Sequence, residues 1–189
     1  MFSASQSAVP EIPNTMALWK IQVKVGDMRI KNVHERKVSA PFQKIGKMID
    51  TVSSEADQVW PHENWPRMEL NQPLGIDASG GHGPIQYKVT AYEPGRHIRF
   101  AFMKHFDGYH EIVLESLDDN CCLLRHNLIA SVQGMNVPKW WFVIRPLHNA
   151  LVEDLFDKVE RNVNCTPRPR SWGFWATWLH GLLRRRKKL

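Results

Sequence analysis

The chain has 189 residues, a length that fits one domain of ordinary size, alone or with tails. Apolar residues make up 43% of it and charged residues 23%, which is typical of a globular protein and excludes a disordered or collagen-like chain. Its three cysteines show no CxxC spacing, so they exclude a disulfide framework and indicate a reducing, cytoplasmic location. No apolar run reaches the roughly 18 residues that a membrane-spanning helix needs.

Charge is concentrated at the C-terminal end of the chain. Of the 25 basic residues, seven lie between Thr166 and Leu189, where there is no acidic residue. The first 165 residues therefore hold 18 basic and all 19 acidic residues, a net charge of −1. A near-neutral body lacks the basic face that nucleic-acid binding requires, so we expect no nucleic acid among the partners.

The predicted elements start with two extended segments. Apolar and polar residues alternate over 17–25, and a second extended stretch covers 28–38. Ser39-Ala40-Pro41 is typical of a helix start, because proline is favoured at the first helical position. Apolar residues then follow at helical spacing over 42–52, and 53–60 is predicted to form a second short helix.

The second half of the chain predicts a sheet and then a long helix. Four strand-like segments between Gly83 and Gln133 are separated by turn-forming residues and predict an antiparallel meander. A long helix is predicted over 138–162, where apolar residues keep a helical period. Pro146 removes the hydrogen bond to residue 142 in this helix and is expected to introduce a kink.

Strand register follows from loop length, because opposed residues in a hairpin share a face. The lengths of the loops at 94–95, 104–108 and 118–120 each place the apolar residues of the adjoining strands on the same face of the meander, which is therefore predicted to be buried. They predict two rows of inward side chains, Val89–Phe100–Ile112–His126 and Tyr87–Phe102–His110–Leu128. The simplest way to bury this face is a curved antiparallel sheet wrapped around the long C-terminal helix, with short helices after the first strand, an α+β fold.

The chain resembles the helix-grip fold of the START-like superfamily, which includes polyketide cyclases, lipid-transfer proteins and birch-pollen-allergen-type proteins. The strand–Ala-Pro–helix opening over 33–52, the meander and the long helix carry this resemblance. Further segments are similar to an uncharacterised bacterial branch of the superfamily: Asn32-Val33-His34-Glu35-Arg36, Trp65-Pro66, Pro73-Leu74-Gly75, Gly80-Gly81-His82-Gly83-Pro84-Ile85, Tyr92-Glu93-Pro94-Gly95-Arg96, Leu124-Arg125-His126 and Arg145-Pro146-Leu147-His148 with Glu153-Asp154.

The resemblance covers residues 28–164, which we interpret as a helix-grip domain. Residues 1–27 are then an N-terminal extension that could contribute one extra strand, and residues 165–189 form a basic, aromatic, amphipathic tail. The resemblance implies a hollow between sheet and helix that accepts an apolar ligand, and it implies no particular reaction. The expected cavity-lining residues are Tyr87, Val89, Phe100, Phe102, His110, Ile112, Leu124, His126, Leu128, Trp140, Ile144 and His148.

His110 and His126 are the inward imidazoles of the predicted register, about 7 Å apart as diagonal neighbours. They could contact a ligand hydroxyl or carbonyl, or act as acid or base. The alternative is an ordinary core histidine bonded to a neighbouring group. No third ligand falls at a suitable spacing, so no metal site is predicted. No cofactor motif is found either.

Two further segments have structural explanations. The segment Gly80-Gly81-His82-Gly83-Pro84 lacks the following helix and the lysine of a phosphate-binding loop. Its glycines are expected to allow a tight entry into the sheet.

Arg145, His148, Glu153 and Asp154 could form a polar cluster at the pocket floor. The alternative is ion pairing along the helix surface, with Asp154–Lys158 and Asp157–Arg161 at i,i+4.

The tail is predicted to lie on an anionic membrane surface as a peripheral helix. A helix over its apolar part is too short to cross the ~30 Å hydrocarbon core. Tryptophans at headgroup depth and cations against anionic lipid are typical of interfacial helices. A solvated tail, a tail docked on the domain, a partner-binding helix and a nuclear address are the alternatives. The membrane-binding residues would be Trp172, Trp175, Trp178, Arg184, Arg185, Arg186, Lys187 and Lys188.

Three functions remain open from the sequence. The first is binding or transfer of a lipid or other hydrophobic small molecule in the internal cavity, at a membrane surface. The second is a cyclase- or dehydratase-type enzyme that uses the cavity histidines. No nucleophile–base pair or carboxylate dyad accompanies them, so catalysis ranks below binding. The third is a non-catalytic interaction protein with a closed core.

Overall fold

The computed structural model describes residues 27–104, 106–167 and 171–186. Its strands and helices follow the order expected from the sequence. The strands are β1 (Met28–Val38), β2 (Glu69–Leu70), β3 (Ser79–His82), β4 (Ile85–Glu93), β5 (His97–Phe102), β6 (Asp107–Asp118) and β7 (Cys121–Val132). The helices are α1 (Phe42–Ile49), α2 (Asn136–Lys139), a π-helical turn (Trp140–Ile144), α3 (Arg145–Asn162) and α4 (Phe174–Arg186).

The seven strands form one curved antiparallel sheet in the order β1-β7-β6-β5-β4-β3-β2. The first described strand, β1, pairs with the last one, β7, along its whole length, so these two strands are neighbours in the sheet. α3 packs against the inner face. The predicted α+β helix-grip arrangement is confirmed. The short strands β2 and β3 were not predicted, and the predicted strand at 17–25 lies outside the described residues.

The predicted pairs are confirmed in two of the three hairpins, although a β-bulge between Val89 and Ala91 shifts the β4–β5 pairing nearer the turn by one residue. Val89 opposes Phe100, and Ile112 opposes His126. Between β5 and β6 the prediction was wrong by two residues, because Phe100 opposes His110 rather than Ile112. Since side chains alternate with a period of two, this slip leaves every inward residue on the buried face.

The predicted helix over 53–60 was wrong, because one carboxylate holds this segment as a loop. The side chain of Asp57 accepts hydrogen bonds from the backbone N–H groups of Ser53, Val59 and Trp60 at 2.7–2.8 Å. Ser53 also has a φ of 70°, which a helix excludes. Aspartate side chains compete with helical hydrogen bonds in this way.

The predicted long helix ends at Asn162 as expected, but it begins irregularly. α2 passes into the π-helical turn, and α3 starts where that turn ends. Pro146 lies in the first turn of α3, a position that tolerates its missing N–H. The irregularity expected at the proline is therefore a widened turn immediately before it.

Buried apolar side chains form two separate clusters. The large one joins α1, α3 and the middle of the sheet, and includes Phe100, Leu124 and Phe156. The small one lies at one end of β1 and β7 under the π-helical turn, and includes Ile30, Leu128 and Trp140. A layer of polar side chains separates the two clusters.

Candidate functional site: a buried histidine layer

The residues between the two apolar clusters are histidines and asparagines. On β7, His126 lies between Leu124 of the large cluster and Leu128 of the small one. Polar side chains of β6, β1 and α3 lie beside it, although the β6 residue directly opposite His126 is Ile112 and His110 lies opposite Leu128. We call this set the histidine layer, and its members are Asn32, His34, His110, His126, His148 and Asn149.

His110 and His126 form the centre of the layer. Nδ1 of His110 lies 3.2 Å from Nε2 of His126, and both side chains are buried. Nε2 of His110 and Nδ1 of His126 are also buried, and neither has a hydrogen-bond partner in the described part of the chain. A neutral imidazole carries one N–H donor and one acceptor nitrogen. Whichever ring donates in the shared bond, the two outer nitrogens therefore present one donor and one acceptor.

Both rings are neutral at physiological pH. Burial lowers the pKa of His110 well below its usual value, and the neighbouring His148 and His82 lower it further. Burial also lowers the pKa of His126, with a smaller contribution from His110 and His34. The ring of His110 stacks on Phe100 at 5.0 Å and contacts Tyr87 at 4.5 Å, so its surroundings are aromatic.

His148 extends the layer from the sheet to α3. Its ring lies 5.0 Å from that of His126 and 6.2 Å from that of His34, measured between centroids. Nδ1 of His148 is a third buried ring nitrogen without a partner among the described residues. Burial lowers the pKa of His148 well below its usual value, and the charge of a protonated His126 would lower it further. Three ring nitrogens without partners in the described part of the chain thus belong to three neighbouring rings.

His34 closes the outer end of the layer with a set of hydrogen bonds. Its Nδ1 lies 3.0 Å from Oε1 of Glu153, and its Nε2 lies 3.1 Å from Oδ1 of Asn149. Asn32 donates to the same Asn149 oxygen at 3.0 Å. As placed, both ring nitrogens of His34 face acceptor oxygens. Oδ1 of Asn32 is also buried without a partner among the described residues, so this end of the layer is only partly satisfied by the protein itself.

Next to His34, Arg36 bridges β1 to three carboxylates of α3. It donates to Glu153 at 2.6 Å and to Glu160 at 2.9 Å, and also to Asp157. Burial lowers the pKa of Arg36, but the hydrogen bonds and negative charges of Asp157 and Glu160 outweigh it and raise the pKa above its usual value. The alternating polar residues of β1 therefore fix the position of α3 over the sheet.

At the other edge of the layer, the hydroxyl of Tyr87 lies 2.5 Å from Nε2 of His82. Burial lowers the pKa of His82 to about 4 and raises that of Tyr87 above its usual value. The neutral phenol therefore donates to the neutral imidazole. His82 also packs on Trp60 with ring centroids 4.7 Å apart, so β3 is tied to the core at this point.

The predicted lining residues lie on the inner face, but most of them are packed. Phe100 and Leu124 have 0% of their surface exposed, and Val89, Ile112, Tyr87 and Leu128 are also buried. The interior is thus filled around the large cluster. Phe102, Ile144 and His148 are only half-buried, so the less closely packed part lies at the histidine end. Trp140 is buried in the small cluster.

The sequence did not predict the roles of Asn32, His34, Arg36 and Asn149. The pattern of β1 could have indicated these roles. Its inward positions are 30, 32, 34, 36 and 38, and the middle three carry polar residues while the two at the ends carry apolar ones. Extending the register from β7 to β1 would have placed His34 opposite His126, as the structure does.

The alternative of i,i+4 ion pairs on the last helix was wrong. Asp154 accepts from the indoles of Trp65 and Trp172, each at 2.9 Å. Asp157 pairs with Arg36, and Lys158 donates to the backbone oxygen of Trp60 at 2.7 Å. These side chains attach α3 to other elements instead of to each other.

The tail helix α4 is docked on the domain. Ala176, Leu179 and His180 are buried, and Nε2 of His180 lies 2.9 Å from the backbone oxygen of Asn64. Trp172 packs on Trp65 with ring centroids 5.3 Å apart. Arg184 and Arg185 are exposed at the end of α4. The side chain of Arg186, with Lys187 and Lys188, lies outside the described residues.

A groove of about 460 Å³ separates α4 from α3. Its walls are tryptophans, Trp141 from the π-helical turn and Trp172 and Trp175 from the tail. Its floor is the outer end of the histidine layer, where His34, Asn149 and Glu153 lie. The groove is therefore distinct from the interior, and only His34 and Asn149 are shared with the layer.

Neither a metal-binding cluster nor a membrane-spanning helix is present in the described part of the chain. No group of three or more His, Cys, Asp or Glu side chains within 27–104, 106–167 and 171–186 is arranged to hold a metal ion. Within the same residues, no helix has both the length and the apolar character needed to cross a membrane.

Comparison with known proteins supports the fold. No family model and no curated protein matches the chain. Among solved structures, norcoclaurine synthase from Thalictrum flavum in complex with dopamine and hydroxybenzaldehyde is 12% identical with a TM-score of 0.57, covering 85% of this chain and 97% of that one. A solution structure from Thermobifida fusca is 11% identical with a TM-score of 0.57, covering 74% and 99%.

A conserved protein of unknown function from Enterococcus faecalis is 15% identical with a TM-score of 0.53, covering 85% of each chain. Identities this low establish the architecture rather than the activity. The curved seven-stranded antiparallel sheet and the long C-terminal helix agree with these neighbours. The chain therefore has the helix-grip fold.

Proposed function

We propose that this protein binds a hydrophobic small molecule whose polar end is neutral and contacts the histidine layer. The observation that carries the proposal is the set of three buried ring nitrogens without partners in the described residues: His110 Nε2, His126 Nδ1 and His148 Nδ1. Leaving a buried polar group unpaired costs about 1–3 kcal/mol. A ligand that supplies hydrogen bonds at these atoms recovers that free energy.

The electrostatics of the layer select the class of ligand. His110 and His126 are neutral, and their ring contacts are aromatic or with other histidines, while no lysine or arginine of the described residues contacts either ring. A carboxylate or phosphate here would be a buried charge without a counterion, which is strongly unfavourable. A hydroxyl, which both donates and accepts, matches the outer nitrogens of the pair. A neutral alcohol, phenol or ketone is therefore the expected polar end.

Native mass spectrometry of gently purified protein tests the proposal first, because a retained hydrophobic molecule appears as a mass increment. Titration calorimetry with 1-decanol tests the contact. We expect His126→Phe, which keeps an aromatic ring of similar size, to weaken decanol binding at least tenfold. His97→Phe is the matched control, because His97 lies on the outer face of the sheet beside Glu111. Absence of both a retained molecule and decanol binding would contradict the proposal, as would equal decanol affinity in the two variants.

An acid–base enzyme at the same histidines is the second candidate. It is favoured by the 3.2 Å contact between two neutral imidazoles, since such a pair can accept a proton at one outer nitrogen and donate one from the other. It could thereby move a proton between two atoms of a bound carbonyl compound. One structural neighbour is a synthase, which agrees with catalysis on this fold. Deuterium uptake from D₂O at the carbon next to the carbonyl, lost in His126→Phe, would favour the enzyme over the binding protein.

The proposed location is the surface of an anionic membrane. Eight of the thirteen exposed large apolar side chains in the described residues lie in only two segments, which the docked tail brings together. We call them the aromatic patch: Met135, Trp141, Phe142, Phe174, Trp175, Trp178, Leu182 and Leu183. Trp172, which faces Asp154 and Trp65, is not part of it.

The charge around the aromatic patch complements an anionic surface. Neither 135–152 nor 166–189 contains an acidic residue, while Lys139 and Arg145 accompany the cations at the chain end. Each such cation near an anionic bilayer contributes about 1 kcal/mol. Aromatic side chains with adjacent cations are typical of interfacial binding.

Co-sedimentation with vesicles tests the location. We expect binding to vesicles that contain phosphatidylglycerol, weaker binding to pure phosphatidylcholine, and loss of binding as salt rises. Phe142→Ser should weaken binding because Phe142 is 65% exposed in the patch. Ile76→Ser is the matched control, since Ile76 is 52% exposed in a remote loop. Equal effects of the two variants would contradict the membrane proposal without affecting the proposed ligand.

A further inference from the structure

The groove between α3 and α4 has features of a binding site that the histidine layer does not explain. Its volume of about 460 Å³ falls within the range of small-molecule sites. Aromatic walls stand over a polar floor, an arrangement suited to an amphipathic ligand. Two of its walls, Trp141 and Trp175, also belong to the aromatic patch, so the groove opens within that surface.

The two tryptophans that α4 and its preceding residues contribute are held in fixed orientations. Nε1 of Trp172 donates to Asp154 at 2.9 Å, and Nε1 of Trp175 donates to the backbone oxygen of Phe142 at 2.6 Å. Both indole N–H groups are therefore committed to the protein, while parts of both rings line the groove. Walls that are already ordered lower the entropic cost of binding.

One positive group that lines the groove, the guanidinium of Arg145, has no counterion among the described residues. Glu153 is balanced by Arg36 at 2.6 Å and contacted by His34 at 3.0 Å. The guanidinium of Arg145 lies over the ring of Trp141 at 4.8 Å, and no carboxylate among the described residues forms an ion pair with it. Stacking on the ring leaves the N–H edge of a guanidinium available for a carboxylate or phosphate.

We propose that this groove binds one anionic amphiphile, with its phosphate or carboxylate on Arg145 and its apolar part against Trp172 and Trp175. The ligand belongs to a different class from the neutral molecule proposed for the interior. It can be a free amphiphile or the headgroup region of a membrane lipid, and the second source rests on the proposed membrane location. In both cases the guanidinium and the aromatic walls recognise the same chemistry.

Titration calorimetry with octyl phosphate in vesicle-free buffer tests the groove. We expect octyl phosphate to bind at least tenfold more tightly than either inorganic phosphate or octanol, because only octyl phosphate engages both parts of the site. Arg145→Gln should weaken its binding at least tenfold, and Arg145→Lys should restore part of it. Arg96→Gln is the matched control, since Arg96 is exposed at a remote turn. Equal affinity in Arg145→Gln and Arg96→Gln would overturn the proposal.

A second pair of variants separates this site from the interior. His126→Phe should leave octyl phosphate binding unchanged, and Arg145→Gln should leave decanol binding unchanged. If His126→Phe abolished octyl phosphate binding and Arg145→Gln did not, the anion would lie in the interior and the groove proposal would be wrong. With vesicles that contain phosphatidylglycerol, a larger loss of binding in Arg145→Gln than in Arg96→Gln identifies a lipid as the source. An equal loss, with octyl phosphate still dependent on Arg145, identifies a free amphiphile.

Discussion

The indole N–H of Trp175 donates to the backbone oxygen of Phe142 at 2.6 Å. In an α-helix that oxygen would accept from the backbone N–H of residue 146, and residue 146 is a proline. Phe142 lies in the π-helical turn and Pro146 has no N–H to offer it, so the tail supplies a donor where the α-helical one is missing. A proline in the domain and a tryptophan 29 positions later are parts of one interaction.

This pairing predicts how the tail is held. Trp175→Phe keeps an aromatic ring but removes the donor, so we expect faster amide hydrogen exchange along α4, with a loss of about 1 kcal/mol in docking free energy. In a Pro146→Ala background, residue 146 has its own N–H for Phe142, so Trp175→Phe should have a smaller effect. Equal effects of Trp175→Phe in both backgrounds would show that the Phe142 oxygen does not hold the tail.

The sequence predicted the sheet well because apolar and polar residues alternate clearly in β4 to β7. Since strand side chains alternate with a period of two, a register error of two residues does not change which face a side chain occupies. The β5–β6 slip arises in the loop, where Ala101 already opposes Tyr109 and the connection is longer than the predicted one. β2 and β3 were not predicted because Glu69–Leu70 and the glycines of β3 carry no apolar pattern. Their pairing depends on neighbouring strands, which a local pattern does not contain.

Only part of the candidate site was predicted from the sequence. His110 and His126 were found because they interrupt apolar rows on predicted strands. Asn149 was not assigned, and Glu153 was named only as one member of a possible polar cluster, because their partners His34 and Arg36 lie more than 100 residues earlier in the chain. The docking of the tail was also open, since an aromatic stripe beside cations suits both a membrane and a protein surface.

Arg36 predicts a large contribution to stability. Arg36→Gln would leave Glu153, Asp157 and Glu160 close together on α3 without their shared cation, so we expect a loss of about 3 kcal/mol in the free energy of unfolding, measured by urea denaturation at pH 7. Arg125→Gln is the control. Arg125 also pairs with two carboxylates, but Glu35 and Glu115 are exposed and screened by solvent, so its loss should cost under about 1 kcal/mol. Similar losses in both variants would contradict the role given to Arg36.

Gly80 predicts a steric requirement at the edge of the sheet. A Cβ at this position would lie 1.9 Å from the backbone oxygen of Glu69 in β2, far inside contact distance. Gly80→Ala should therefore separate β2 from β3 and lower the free energy of unfolding by about 2 kcal/mol or more. Gly75→Ala should be nearly neutral, because the nearest atom to its Cβ is 3.8 Å away. Thermal unfolding of the two variants compares them, and matching melting temperatures would contradict this close approach.

The buried histidines predict a loss of stability in mild acid. In the folded protein the pKa values of His82, His110, His126 and His148 are lowered, to about 4 for His82, whereas in the unfolded chain they return to about 6.5. Above pH 7 these groups are neutral in both states, so stability should not change with pH on their account. As pH falls below 6.5 the unfolded chain takes up protons that the folded protein does not, so the free energy of unfolding must fall.

Each histidine that stays neutral contributes a slope of about 1.4 kcal/mol per pH unit in this window. Urea denaturation from pH 7.5 to 4.5 should show the decline. His126→Phe should reduce the slope of the free energy of unfolding against pH by about 1.4 kcal/mol per pH unit, which corresponds to one proton. This holds even if the substitution also changes the stability at pH 7.5. An unchanged slope in His126→Phe would mean that His126 is protonated in the folded protein, and the neutral donor–acceptor pair with His110 would then be wrong. Saturating decanol should stabilise the wild-type protein by about the same amount at pH 7.5 and at pH 4.5, because the pair it contacts stays neutral in the folded protein.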